Sequence, residues 1–460
     1  DKVNISSITS FQYLNDNLTL DQDFLPEDFF TLTQKKRDTA LSEDIVVRGN
    51  RVGETYNWLF GAFGFFKHLD MKAPVTFKDK GVAELIEAHR NSANPDYPIR
   101  WDSRSFCLNS DFLTDTYGLA VYHKSDVTLG NFNISAALRL DYEHSTLDYH
   151  SYCSTSYTIY QRQGEDFIPY HKIPVDIDDK GKLSRSFLTL LPEVAATYML
   201  PNGHGNLYAK VNKGYKAGGF NTQMFSDVLQ QRLMGIMGIG AQYDVDDVVG
   251  YRPEKSWNFE VGTHLDLCSN RLSLDADLFY IDCRDQQLTM FPDGTTTGRI
   301  MTNAGKTRSF GGEVSVGWHL NDRVNLSGSY GYTNARFMEF FNGISDFRGK
   351  YIPYAPRNTL FLQGLYTLPT NSKILGKVVF DLNLRGTGKI YWNESNEDVQ
   401  KFYALLGASV TLGDERLSLK IWGRNLTSTS YRTFYFMSMG NEFFQRGKGT
   451  EVGATLRFSI

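Results

Sequence analysis

Apolar and polar residues alternate along much of the chain, in runs of about ten residues. In one run, Phe132, Ile134, Ala136, Leu138 and Leu140 are separated by mostly polar residues. Successive side chains of a β-strand point to opposite faces, so such a run predicts a strand with one apolar and one polar face. This pattern is typical of strands that separate lipid from a wet interior.

Sixteen such strands are predicted, starting near residues 3, 43, 58, 116, 132, 187, 206, 257, 272, 302, 324, 359, 378, 402, 417 and 451. Short turns at Gly130, 201–205, 269–271, 321–323 and 413–416 alternate with long connections at 68–112, 144–185, 218–252 and 337–356. Short turns on one side and long loops on the other indicate an all-β, transmembrane antiparallel β-barrel. A soluble sandwich or propeller would need turns every ~8–12 residues and a more aliphatic core.

Composition supports this fold class. Only 41% of residues are hydrophobic, yet 14% are aromatic, with 32 Phe and 26 Tyr, which suits aromatic girdles at the two bilayer interfaces. The most apolar stretch, 58–66, is far shorter than the ~20 residues of a membrane-spanning helix. The net charge of −4 gives no indication of a nucleic-acid partner.

Several motifs occur in a fixed order along the chain. The first comprises Gly214, Tyr215, Lys216, Ala217, Gly218, Gly219, Phe220 and Asn221, and the second comprises Tyr251, Arg252, Pro253, Glu254, Lys255, Ser256 and Trp257. Others are Asn303 to Lys306, Tyr354 to Arg357 and Arg424 to Thr427. Together they resemble TonB-dependent outer-membrane receptors, in particular siderophore receptors.

The resemblance implies TonB-coupled import of a scarce nutrient, most readily a ferric siderophore, across the bacterial outer membrane. The implied partners are a TonB-type energy-transducing complex, the lipid bilayer and lipopolysaccharide. Transporters of this family resemble plugged barrels of about 22 strands. We therefore expect residues 1–460 to be the C-terminal barrel portion, with the plug and early strands before Asp1.

The motif residues have structural explanations. Gly218 and Gly219 are expected to let the chain leave its strand in conformations that side chains resist. Pro253 is expected at a strand entrance, where a missing N–H costs little. The rings of Trp257 and Tyr251 suit the interface girdle.

Ligand contacts are expected from the long loops and the upper lumen wall. The aromatic segment 144–171 supplies Tyr149, His150, Tyr152, Tyr157 and Tyr160. Such side chains give flat, rigid contacts for a ligand, although a self-packed loop is the favoured alternative. Arg139 and Arg385 lie on the polar faces of their strands and would attract an anionic chelate, unless they pair with neighbours such as Asp141 and Asp381.

Cys107 and Cys153 are predicted to lie in external loops, where a disulfide between them is plausible. The chain shows no catalytic constellation, and no enzyme activity, resident metal or cofactor is expected. Two other functions stay open, a passive sixteen-stranded porin and a surface-display or adhesion barrel. Heme, cobalamin and glycans stay open as ligands.

Overall fold

The computed structural model describes residues 3–21, 23–52, 55–222, 225, 245–290, 300–342, 345–370, 372, 376–414, 416–438 and 440–459. Within them, sixteen long strands form one antiparallel sheet, the barrel wall. The wall strands are β1 (Val3–Asp21), β2 (Phe30–Val52), β3 (Tyr56–Lys72), β4 (Phe106–Leu129), β5 (Phe132–Gln163), β6 (Asp166–Met199), β7 (Gly205–Lys216), β8 (Glu254–Leu267), β9 (Leu272–Met290), β10 (Ile300–His319), β11 (Val324–Glu339), β12 (Asn358–Pro369), β13 (Lys377–Thr387), β14 (Tyr403–Gly413), β15 (Leu417–Arg424) and β16 (Glu451–Phe458).

Each wall strand pairs with the next along the chain, in a continuous meander. The sixteen predicted strands are found in the predicted order, but β2, β4 and β6 begin at Phe30, Phe106 and Asp166, well before the predicted starts near 43, 116 and 187. Within the described ranges, β1 pairs along its length only with β2, and β16 only with β15. The two edge strands therefore present unpaired backbone groups.

The period-two pattern sorts side chains onto two faces. Val211, Phe259, Tyr280 and Phe310 stand side by side across four strands in one outward row, each 37–44% exposed. Residues one position along point inward, where the Tyr208 hydroxyl donates a 2.6 Å hydrogen bond to Glu260. The outward face is the one that suits lipid, and the inward face lines the lumen.

Small elements lie in the connections. The short strands are Val75–Phe77, Ile99–Trp101, Gly219–Phe220, Gly250–Tyr251, Ile390–Tyr391, Val399–Gln400, Arg432–Ser438 and Asn441–Arg446. The helical turns are Asp79–Gly81, Val82–Glu87, Ala88–Ala93, Pro201–Gly203 and Val245–Val249. No helix in the described ranges is long and apolar enough to cross a membrane.

The segment between β3 and β4 folds into a cap on the side of the long connections. Its helical turns and short strands bury Val75, Ile86, Ile99 and Trp101 in one apolar cluster. Val175 of β6 completes this cluster and is 0% exposed. The predicted connection 68–112 is therefore largely ordered, because its apolar residues find a partner surface on β5 and β6.

The structure of β5 and β6 also contradicts the prediction made for residues 144–185. Residues 144–185 were predicted as a long connection, but β5 and β6 pair without a break up to Gln163 and Asp166, with one register shift near Ile159. The hairpin forms an arm that continues beyond the apolar band. On its inward face Leu147, Cys153 and Ile177 are buried, so the alternation of a strand persists there with polar residues outside. The predicted connection 218–252 lies mostly outside the described residues.

The arm depends on its apolar contact with the cap. We expect Val175→Asp to place an uncompensated charge in the cluster, which costs several kcal/mol, and to raise protease cleavage within 145–185 roughly a hundredfold. Limited proteolysis with mass spectrometry measures this. Ile168→Asp is the matched control, because Ile168 lies on the same strand and is 44% exposed. Equal cleavage of both variants would contradict the buried contact.

A charged contact joins the cap to the arm at Asp102. Ser156 donates a hydrogen bond that holds the pKa of Asp102 below its ordinary value, and Lys172 and Thr158 act in the same direction at 2.9 Å and 2.8 Å. A carboxyl with a lowered folded pKa stabilises above its unfolded value of about 3.9, and that stabilisation is lost as the pH falls through the folded value.

We therefore expect the cap to loosen in acid. The difference in tryptophan fluorescence between the wild type and Trp101→Phe should change below about pH 4. In an Asp102→Asn background this acid transition should vanish. An unchanged transition in that background would exclude Asp102 as its cause.

Candidate functional site

The glycine-rich motif and the motif around Pro253 are joined above β7 and β8. The Asn303 amide donates hydrogen bonds to the carbonyls of Arg252, at 3.0 Å, and Asp285, at 2.7 Å. Asn303 also accepts the Arg252 backbone N–H at 2.8 Å. Gln287 donates to the carbonyl of Ala217 at 2.7 Å, and its backbone N–H bonds to Glu254 at 2.8 Å. These hydrogen bonds join motif residues that are distant in sequence into one unit, and this unit is here called the clasp.

The glycines of the clasp are needed because the neighbouring atoms leave no room for a side chain, and not because of unusual backbone angles. A Cβ on Gly218 would lie 2.5 Å from the Tyr251 carbonyl oxygen and 2.8 Å from the Phe187 ring. A Cβ on Gly219 would lie 2.7 Å from the Tyr251 hydroxyl. Neither glycine is among the positive-φ residues, so the conformational explanation is wrong and close approach replaces it.

The other motif residues take structural positions. Gly214, Tyr215 and Lys216 end β7, Phe220 packs under the Arg185 guanidinium at 5.7 Å, and Asn221 donates its backbone N–H to Val249 at 2.7 Å. Pro253 directly precedes β8, as predicted, and Trp257 faces outward at 44% exposure. Tyr251 faces Gly219 within the clasp, so its predicted place in the outer girdle is wrong.

The aromatic segment divides into inward and outward sets. Tyr149 and Tyr157 are buried at 9% and 6% exposure, Tyr149 against Phe225 at 4.8 Å and Tyr157 against Trp101 at 5.3 Å. Both rings are used in packing. The predicted loop position is wrong for them, because they lie on a paired strand.

The remaining aromatic candidates lie on the same strand of the arm. His150 and Tyr152 are on its outer face, where His150 pairs with Asp178 at 2.6 Å and its ring lies 4.7 Å from Tyr152. Tyr160 lies under the Arg100 guanidinium at 5.3 Å. An outer face of the arm points away from the lumen, so these positions do not line a lumenal site.

Arg139 lies on the lumen wall and is already engaged. It pairs with Asp141 at 2.7 Å, and its guanidinium lies 5.6 Å from the Phe63 ring and 5.5 Å from the Tyr122 ring. The predicted alternative, pairing with the neighbouring Asp141, describes this contact.

Arg385 lies in a cavity of about 720 Å³ on the inward face of β12–β16. Its guanidinium is 5.6 Å from the Phe361 ring. Asp381 lines the same cavity but accepts hydrogen bonds from Gln363 at 3.0 Å and Asn383 at 3.3 Å. Neutral amides thus engage that carboxylate and leave the charge of Arg385 less compensated.

Three further cations line this cavity, Lys420, Arg424 and Lys448. Lys448 pairs with Glu451 at 3.1 Å, and Arg424 lies over the Trp422 ring at 4.7 Å. Four cations therefore face two carboxylates, and Trp422 and Tyr431 add flat apolar surface. Such a surface attracts an anion that carries aromatic groups.

The sequence reading missed Lys420, Arg424 and Tyr431. Lys420 and Arg424 occupy the inward positions of β15, alternating with outward Leu419 and Ile421. The odd–even alternation along this strand could therefore have identified them as inward-facing cations. The structure does not bring Arg139 and Arg385 together, because seven wall strands separate β5 from β13.

The predicted disulfide is not formed. Cys107 and Cys153 are free thiols. Cys153 points into the apolar cluster beside Leu108, whereas Cys107 is one residue from Leu108 and so points to the other face of β4.

Known proteins resemble this chain over most of its length. A family model described as "TonB dependent receptor-like, beta-barrel" matches residues 3–426. The pesticin receptor of Yersinia pestis is 26% identical over 359 residues, which cover 77% of this chain and 45% of the receptor. The probable TonB-dependent siderophore receptor PiuA of Acinetobacter baumannii is 23% identical over 197 residues, 40% of this chain and 25% of that protein.

Solved structures also match the chain, and one of them is described here for its fold. The ferric yersiniabactin uptake receptor FyuA from Yersinia pestis superposes with a TM-score of 0.70 at 19% identity, covering 99% of this chain and 58% of that one. This chain thus spans about half the length of these Yersinia relatives.

The clasp can be tested through Asn303. Asn303→Ala removes three hydrogen bonds and leaves backbone groups unsatisfied, which should cost about 1–3 kcal/mol. We expect a lower unfolding temperature in detergent. The unfolding temperature is measured by the heat-dependent change in gel migration. Asn131→Ala, at an exposed turn, is the control and should unfold as the wild type does. Equal stability of both variants would show that the clasp contributes nothing.

Proposed function

This chain belongs to the TonB-dependent receptor-like β-barrel family, and we propose that it imports ferric siderophores across the bacterial outer membrane. The cationic cavity around Arg385 carries the proposal. A ferric siderophore is a compact chelate that is commonly anionic and often aromatic. The cavity volume of about 720 Å³ lies within the range of small-molecule sites, roughly 300–1,000 Å³.

The arrangement suits binding and passage rather than bond-making chemistry. The cations of the cavity lie near the upper ends of β13, β15 and β16, on the side of the cap and the arm. A chelate arriving from outside would meet them first. Charged side chains in a confined lumen raise the local concentration of an oppositely charged ligand and so its rate of capture.

We propose further that a plug and additional strands complete the barrel in the full protein. The unpaired edges of β1 and β16 support additional strands, because lipid cannot satisfy an open sheet edge. The length of the relatives supports additional segments. The plug would block free diffusion, and a TonB-type complex would supply the energy to move it. The bilayer and lipopolysaccharide would surround the outer wall.

Uptake by the full-length protein tests this function. Cells that express it as their sole receptor should accumulate ⁵⁵Fe from ferric yersiniabactin, the ligand named for the matched FyuA. Ferric catecholate and ferric citrate would be compared in parallel. Arg385→Gln should weaken binding roughly tenfold, since it removes one charge from a partly desolvated cavity.

Arg457→Gln is the matched control. Arg457 is also inward-facing, but it lies near the opposite end of its strand and outside the cavity. Loss of uptake without TonB is expected for a coupled receptor. High ligand-independent conductance of the full protein in planar bilayers would instead support a passive porin. Uptake of none of the chelates, with tight binding of heme, cobalamin or a glycan, would reassign the ligand.

A further inference from the structure

Asn425 belongs to the motif from Arg424 to Thr427 and lies at the edge of the cationic cavity around Arg385. It directly follows β15 and is only 5% exposed. Its φ is 47°, in the left-handed region that asparagine adopts more readily than most residues. A buried polar residue in an uncommon backbone conformation calls for a physical explanation.

The Asn425 side chain forms hydrogen bonds with two separate segments of the chain. Its Nδ2 donates to the carbonyl of Thr429 at 3.0 Å and to the carbonyl of Lys448 at 3.0 Å. Its Oδ1 accepts the Thr429 backbone N–H at 2.8 Å. Both amide protons are therefore used within the protein, and none is left to donate to a molecule in the cavity.

The main chain of Asn425 also holds the segment that leads into β16. The Thr450 hydroxyl donates to the Asn425 carbonyl at 2.7 Å. The ladder between β15 and β16 ends at the pair Arg424 and Glu451, so strand pairing does not extend to Lys448. The hydrogen bonds to Asn425 thus replace ladder bonds for the residues that directly precede Glu451.

Lys448 depends on such bonds because it lies between two glycines. Gly447 and Gly449 give the chain wide conformational freedom, which has to be restricted before Lys448 can keep one position. The Gly447 N–H donates to the Tyr431 carbonyl at 2.9 Å, which holds the segment from the other side. The Lys448 side chain is 80% exposed and pairs with Glu451 at 3.1 Å, a contact that contributes little by itself.

These bonds set the position of Lys448 relative to Arg424. Both residues line the cavity, and Arg424 is held on β15 with its guanidinium 4.7 Å from the Trp422 ring. Asn425 is the next residue after Arg424 and bonds directly to the Lys448 carbonyl. Two cations held at a fixed separation bind one anion more tightly than two mobile ones, because less conformational entropy is lost on binding.

We infer that Asn425 is a positioning residue, which holds Lys448 beside Arg424 so that both cations act on the same anion in the cavity. Asn425 acts through Lys448 and not by its own contact with the anion, because its amide donors are already used. The inference rests on the proposed function, since the anion concerned is the ferric chelate.

Asn425→Gly tests the inference, because glycine adopts a positive φ without strain and the substitution removes chiefly the amide. We expect the affinity of the full-length protein for ferric catecholate and ferric citrate to fall roughly fivefold, the contribution of one exposed charge. Isothermal titration calorimetry in detergent measures this. Lys448→Gln should cause a similar loss, and the double variant should bind about as weakly as Lys448→Gln alone.

Asn396→Gly is the matched control. Asn396 also has a positive φ, of 62°, and its amide makes three hydrogen bonds, with Tyr351 at 2.9 Å and 2.6 Å and with Asn393 at 3.1 Å. It fastens a loop outside the cavity, so this variant should bind both chelates as the wild type does. An equal loss in both glycine variants would make general loosening of the loops the cause and overturn the inference. Wild-type affinity of Asn425→Gly, or additive losses in the double variant, would overturn it as well.

Hydrogen exchange without any chelate separates this inference from the proposed function. The Gly447 amide should exchange roughly tenfold faster in Asn425→Gly than in the wild type, and at the wild-type rate in Asn396→Gly. Unchanged exchange in Asn425→Gly would contradict the positioning of Lys448. If the wild type binds none of the chelates of the uptake experiment, while exchange rises only in Asn425→Gly, the proposed ligand fails and the positioning of Lys448 stands.

Discussion

The need to pair every backbone N–H and C=O group within lipid shapes this whole molecule. In lipid, an unpaired N–H or C=O has no water to bond with, so a chain that crosses by strands must pair each strand with neighbours. Among the described residues, the sixteen wall strands meet this demand with an unbroken antiparallel meander, except at the outer edges of β1 and β16. That pairing fixes the register, and the register fixes which side chains stand beside each other on each face.

The two faces then acquire different chemistry from the same backbone. Outward positions carry Phe259, Tyr280 and Phe310. Inward positions carry charged and polar groups, and on β12–β16 they enclose the cavity around Arg385. Beyond the apolar band the inward face of β5 and β6 becomes apolar, with Leu147 and Val175 buried. Different parts of one strand can thus face lipid, line the lumen and pack against the cap.

The period-two alternation of apolar and polar residues along the strands was the most informative signal in the sequence. It predicted the sixteen wall strands, the outward ring of Trp257 and the inward guanidinium groups of Arg139 and Arg385. It failed on residues 144–185, because polar outer residues and an unusually long run suggested a loop. The apolar inward residues of that run are buried only because they pack against the cap, which lies far away in sequence. The sequence also placed Cys107 and Cys153 in external loops, whereas they lie on the paired strands β4 and β5 and are free thiols.

The sequence alone was enough to predict the kind of fold, the order of the strands and the face on which most wall side chains lie, because these follow from local alternation and turn chemistry. It also carried the family motifs. The tertiary structure decided what each motif residue touches, as in the hydrogen bonds from Asn303 to Arg252 and Asp285. It decided that Arg139 is compensated by Asp141, whereas Arg385 belongs to a cationic cavity. The reason is physical: charge compensation and close packing are set by cross-strand neighbours, which no local pattern specifies.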